Sequence, residues 1–513
     1  MIPDFAALNP GYELSGVAMS HVGSQDTPAP VQTTSLVMMD AWGLASAIRA
    51  RQLSCVEVMS AHLDHIERIN PLVNAIVALR DRDDLLAEAK EKDAEIARGE
   101  ATGPLHGLPF AVKDLFPVKG MRTTLGSLVL KDFVAPADNV MVARSRKAGA
   151  IIIGKTNTPE FGLGSHTYNA VYGATRNAYD QSRSAGGSSG GAAVALALRM
   201  LPLADGSDYG GSLRNPAGWN NVFGLRTSFG RVPADGRDAW LPSMGVFGPM
   251  ARDVRDLALL LSVQAGYDER VPLSMDANPT IFQVPLETDL KGKRVAWLGD
   301  FNGAVPYEAG VLELCRSALG VFETLGCIVE EAVPDYSVDK IWQAWQKLRA
   351  WQSGGNLLAY YRDPAKRALM KPEAVFEVES GLKLSAFDIT AASAVRTEWY
   401  GVVRAFFERY DYLILPTAQV FPFNGDLHWP SEIAGQQMTT YHEWMKGMLP
   451  ITMAGCPALA VPAGFNARGL PMGIQIVAPN HAELACLQLG YAYDAVTNWS
   501  SRRLPPLLGG ARS

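Results

Sequence analysis

The chain has 513 residues, 48% of them apolar and 19% charged, with a formal net charge of −6. That composition builds a large core and excludes a disordered protein, and its acidic balance offers no basic field to hold nucleic acid or anionic lipid. Length alone suggests two to four domains, although a large α/β enzyme of this size can be one unit.

Residues 1–35 mix Gly, Pro, Ser and Thr without periodicity and are expected to be a loosely ordered extension. The opening MIPDFAALNPGYELSG has neither the charged n-region nor the apolar h-region of a secretory signal. From Ala41 a helical rhythm starts and continues through Val56, Met59, Leu63 and Ile66, with Asn70-Pro71 expected to stop it. DRDDLLAEAKEKDAEIARGE reads as a charged, exposed helix ending near Gly99. After Gly103 the texture changes. PFAVKDLF is a strand, and VARSRKAGAIIIGKTN reads as helix, turn and strand. The apolar run from about Ala192 to Ala204 is too short to span a membrane and reads as a buried helix. RVAWLGD, LILPTA, ALAVPAGF and LPMGIQIVAP are further strands, and VLELCRSALGVFETLG is a helix between the first two. This alternation predicts an α/β fold: a single large domain with a mixed, mostly parallel central sheet covered by helices on both faces.

Two glycine–serine clusters stand out. AGGSSGG places Ser188 and Ser189 at a helix start, and GSDYGGS places Ser212 just before a second helix, LRNPAG. Such glycines can be plain turn residues. No GxxxxGK[ST] loop and no GxSxG elbow accompanies them, so neither a nucleotide cradle nor that type of serine hydrolase is indicated. The backbone N–H groups of Tyr209, Gly210, Gly211 and Ser212 could line one concavity, as in an oxyanion hole backed by a helix dipole. A serine there needs a base, and none of the eight histidines lies in the motif. Lys113, embedded in LPFAVKDLF, is harder to read as an ordinary solvated lysine. The five cysteines are scattered, odd in number and free of CxxC, which points to a reducing, cytoplasmic setting and away from disulfides or zinc. No metal and no organic cofactor is expected.

An ordered set of segments gives more. GPLHGLPFAVKD, GKTNTPEF, YGATRNAYD, AGGSSGGAA, LADGSDYGGSLRNPAG, FGLRTSFGRVP, GPMARDV and GCPALAVPAGF…GLPMGIQIVAP run in sequence across roughly residues 40 to 490. Together they resemble the amidase signature enzymes. The resemblance implies a nucleophile at Ser212, a bridging serine in a cis peptide at Ser188 and a lysine base at Lys113. It also implies oxyanion donors on Tyr209, Gly210, Gly211 and Ser212, braces at Ser189, Asp208 and Arg214, and substrate contacts at Gly162 and Ser188. Thr227, where most relatives carry proline, and Tyr209, at a variable family position, are departures expected to shape the pocket.

The implied chemistry is acyl transfer from an amide, needing no metal or cofactor, and it requires a neutral lysine. The expected layout is an amidase domain over 36–500, with a signature core near 100–260, an insertion near 265–450 and a tail over 501–513. WQAWQKLRAWQ and the aromatics of 418–448 are ordinary core on one reading and an apolar acyl or aryl pocket on the other. The expected substrate is a small hydrophobic or aryl amide, anilide or carbamate, with esters also reactive. The resemblance also admits the glutaminase component of a tRNA-dependent amidotransferase, a reading that the aromatic-rich insertion and the extended N-terminus disfavour. Neither nucleic acid nor membrane is an expected direct partner, and a homodimer is the assembly to test.

Overall fold

Thirteen strands occur among the described residues, and eleven of them share one sheet. The computed structural model describes residues 36–509 apart from Ala101, Arg237 and Pro242, so the expected extension over 1–35 and the last four residues of the expected tail lie outside it. The strands are β1 (Ile76–Val77), β2 (Pro109–Lys113), β3 (Ile151–Thr156), β4 (Leu203–Asp208), β5 (Phe223–Arg226), β6 (Val246–Ala251), β7 (Arg294–Trp297), β8 (Ile328–Glu331), β9 (Tyr412–Pro416), β10 (Glu432–Ile433), β11 (Gln436–Gln437), β12 (Ala458–Phe465) and β13 (Pro471–Val477). Across the sheet their order is β1-β3-β2-β4-β6-β5-β12-β13-β9-β7-β8, with β10 and β11 paired separately. The sheet is mixed. Parallel pairs occupy its two flanks, β3–β2–β4 and β8–β7–β9. Antiparallel pairs carry the middle, from β4 through β6, β5, β12 and β13 to β9. The segment 265–450 supplies β7, β8 and β9 to this same sheet.

β2 and β3 are buried at every position, Lys113 and Lys155 included, as in a parallel pair covered on both faces. The helix between them, Val140–Lys147, starts at Asn139, whose side chain accepts the Met141 amide. Three expectations change. The second helix runs from Cys55 through Pro71 to Val73 and ends on Asn74 in the left-handed region. A proline this close to the C-terminus removes a single N–H, and the Asn70 side chain takes over the exit by accepting from Ala75 and Ile76. The apolar run at 192–204 is helical only to Ala197; after a turn its last residues open β4. The helix expected over VLELCRSALGVFETLG is two, Val311–Ser317 and Leu319–Thr324, meeting at Ala318. No helix among the described residues is long and apolar enough to cross a membrane.

Candidate active site

Lys113 closes β2 with none of its surface exposed. Its Nζ lies 2.8 Å from Ser188 Oγ, 2.8 Å from Ser189 Oγ and 3.0 Å from Ser207 Oγ. Three oxygens suit the three donors of an ammonium. A neutral amine donates to two of them and turns its lone pair to the hydroxyl of the third. Burial draws the Lys113 pKa down to about 7, against the pull of Asp205 and Asp208.

Ser188 follows a cis peptide at Gly187–Ser188, and Ser189 is the N-cap of helix α1 (Gly190–Ala197). Gly162 packs beside them: its φ is +69°, and a Cβ there would stand 3.6 Å from Ser188 Oγ. The second cluster lies against the first. The Ser189 amide donates to the Ser212 carbonyl at 3.2 Å. Asn215, in helix α2 (Arg214–Trp219), accepts the Gly187 amide at 3.2 Å.

Asp208, at the end of β4, organises the loop that carries Ser212. Its carboxylate accepts the amides of Gly211 at 3.0 Å and Leu213 at 3.1 Å. Arg214 grips both carboxylate oxygens, and Arg226 of β5 reaches one of them and the Asp208 carbonyl. Burial alone would raise the Asp208 pKa, but the two guanidinium groups outweigh it and hold the carboxylate ionised. The Gly211 N–H, one of the four amides expected to face a bound oxygen, is engaged by Asp208. Gly211 still has to be glycine. Its φ is +107°, and a Cβ would come within 2.8 Å of Met448 Cε.

Aromatic side chains flank the loop. Trp345, in helix α3 (Val338–Arg362), lies 3.5 Å from where a Gly210 Cβ would sit and stacks on Trp342. Arg349, one turn further, stands over the rings of Tyr209 and Trp345 and bonds Glu377 of helix α4 (Pro372–Gly381) at 2.8 Å. The Tyr209 hydroxyl donates to Gln352. Thr227, the other departure, donates instead to the Phe247 carbonyl on β6. His166 bonds the Ser184 hydroxyl, and burial draws its pKa down to about 4. Among the described residues no group of three or more His, Cys, Asp or Glu could hold a metal ion.

A family model described as Amidase matches residues 57–487. This chain belongs to the amidase family. The amidase is 34% identical over 473 residues to an acylamidase of Rhodococcus erythropolis, covering 91% of this chain and 98% of that one. It is also 34% identical over 501 residues to a component of the glutamyl-tRNA(Gln) amidotransferase of Moorella thermoacetica, covering 93% and 100%. A crystal structure of a bacterial aryl acylamidase of the amidase signature family superposes with a TM-score of 0.85 at 29% identity, over 93% of this chain and 99% of that one. The amidase is therefore an amide-hydrolysing enzyme.

Four residues that meet these groups were not singled out in the sequence: Asp205, Ser207, Asn215 and Arg226. The signal for the first two is strand alternation. In LADGSD, positions 205 and 207 share a face, and both reach Lys113.

Proposed function

We propose that this amidase is an acylamidase for small hydrophobic or aryl amides, working through an acyl-enzyme on Ser212. The observation that carries the reading is the buried Lys113 amine, 2.8 Å from the Ser188 hydroxyl and on a residue whose pKa lies at about 7. At neutral pH a large share of that amine is uncharged and able to take a proton. In the first half-reaction Ser212 Oγ bonds to the amide carbon while its proton passes to Ser188 Oγ and the Ser188 proton passes to Lys113 Nζ. The carbonyl oxygen becomes an oxyanion among the free amides of Tyr209, Gly210 and Ser212. Each such donor is worth ~10²–10³ in rate. Lys113 then returns its proton through Ser188 to the leaving nitrogen as the C–N bond breaks. Water repeats the sequence on the ester, releasing the acid and restoring Ser212. Ser189 and Ser207 keep the amine aimed at Ser188 by accepting its two N–H bonds.

Trp345, Tyr209 and Met448 support an apolar acyl or aryl group, since they border the loop that holds the reacting carbonyl. Five free cysteines, all buried, support a cytoplasmic home. The likeness to the amidotransferase component favours a second reading, a glutaminase that works within a larger assembly. The test is to offer the isolated chain anilides, short aliphatic amides, peptide amides and glutamine. The expected outcome is hydrolysis of anilides by wild type, none by Ser212→Ala with an unchanged circular dichroism spectrum, and labelling of wild type alone by a serine-reactive phosphonate. Turnover of glutamine only, or only with added partner proteins, establishes the second reading.

A further inference from the structure

We propose that Asp205 sets the charge on Lys113, and through it the pH at which the amidase becomes active. The inference rests on the reading of Lys113 as the base. Asp205 acts through that lysine and is a positioning residue.

Asp205 sits in β4, beside β2, with none of its surface exposed. Its Oδ1 accepts the backbone N–H of Lys113 itself at 2.8 Å. Its Oδ2 is buried and meets no donor. A carboxylate oxygen in that position is costly unless a nearby cation or a proton compensates it. The charges around it narrow the choice. On β3, Lys155 lies 3.9 Å from Asp114, which follows Lys113 in sequence, and that carboxylate is further held by Thr124. On β4 itself, Asp208 is taken by Arg214 and Arg226. β6 on the other side and α1 above carry no titratable residue. The helix Val254–Gln264 also touches β4, but its Asp256 binds the amides of Ala41 and Trp42, and its Arg255 is exposed. Lys155 therefore divides its charge between Asp114 and Asp205, and the Lys113 amine is the second cation that Asp205 faces; Asp205 in turn is the first of the two carboxylates, ahead of Asp208, that act on Lys113. Two neutral arrangements exist: an ion pair, or a carboxylic acid beside a free amine. Only the second leaves Lys113 able to accept the serine proton. Burial pushes the Asp205 pKa up to about 7, into the range where Lys113 titrates, so the charge on each bears on the proton of the other.

Asp205→Asn separates charge from scaffold. The amide oxygen can still accept the Lys113 N–H, but the negative charge is gone. Without it the ammonium loses its support, and the acid limb of the kcat/KM profile on an anilide moves to lower pH by about one unit. A purely structural role predicts weaker activity with the limb unmoved, and that result overturns the proposal. If Asp205→Asn does not fold, Asp205→Ser, which also keeps a neutral oxygen, is read the same way. Failure of both to fold counts against the proposal, because a carboxylate that only tunes a lysine is dispensable for folding. The underlying reading fails separately, if Lys113→Met or Ser212→Ala retains wild-type turnover.

Discussion

Replacing Lys113 by methionine should disable the enzyme and stabilise the protein at once, with the stabilisation fading as pH rises. The side chains are similar in length, and methionine carries no charge. An ordinary lysine titrates at 10.5, whereas the folded protein holds Lys113 at about 7. Below pH 7 the amine is protonated in both states, and the folded state bears the full cost of a buried cation. At ~1.4 kcal/mol per pH unit, the gap is worth ~5 kcal/mol. Between pH 7 and 10.5 the unfolded chain binds a proton that the folded chain does not. Wild-type stability therefore climbs with pH across that window, and the cost is gone above it. Urea unfolding of both proteins at pH 6 and pH 9 reads the difference. The methionine variant is expected to lead by several kcal/mol at pH 6 and by ~3 kcal/mol less at pH 9. Loss of the base is expected to cost ~10²–10⁴ in kcat/KM on an anilide. A stability difference that does not change with pH, or that grows toward pH 9, refutes the assignment of a mostly neutral Lys113 in the folded state.

Asp208→Asn leaves two buried guanidinium groups without their carboxylate, and thermal or urea unfolding should register a loss of ~3–5 kcal/mol. An unchanged midpoint would show that Arg214 and Arg226 are already balanced by their other acceptors. Gly211→Ala forces a Cβ toward Met448 at a positive φ; kcat on an anilide should fall by about 10²-fold, because sub-ångström placement of the oxyanion donors is at stake. Trp345→Ala should raise KM for aryl amides about tenfold, the equivalent of ~1.4 kcal/mol of apolar contact, and leave short aliphatic amides nearly untouched. Equal losses on both classes would move Trp345 from the pocket wall to the core.

Much of this was legible in the chain because its signals are local. PFAVK and IIIGKT each open on an apolar run bounded by turn signals, of the length that buried parallel strands need, and a strand forms over each. The antiparallel middle of the sheet was not legible, because β4, β6 and β5 pair across long loops that no periodicity marks. The helix through Pro71 escaped because a proline near a C-terminus breaks one bond and no more. Lys113, Ser188, Ser189 and Ser212 could be picked out by their neighbours in sequence. Asp205 and Ser207 could not, since their importance comes from the register of β4 against β2, which joins Asp205 to a residue 92 positions away in the chain. The engagement of the Gly211 amide was likewise invisible. Only the folded loop shows that Asp208 reaches its amide first.

The strand order carries an evolutionary corollary. Lys113, Asp205, Ser207 and Asp208 all belong to the adjacent strands β2 and β4, whereas the tryptophan beside Gly210 comes from a long helix that follows β8, at the opposite margin of the sheet. The strands that hold the lysine and the aromatic side chain packed beside Gly210 are therefore written in separate stretches of the gene, so residues 338–381 can vary without altering the strands that carry Lys113 and Asp205.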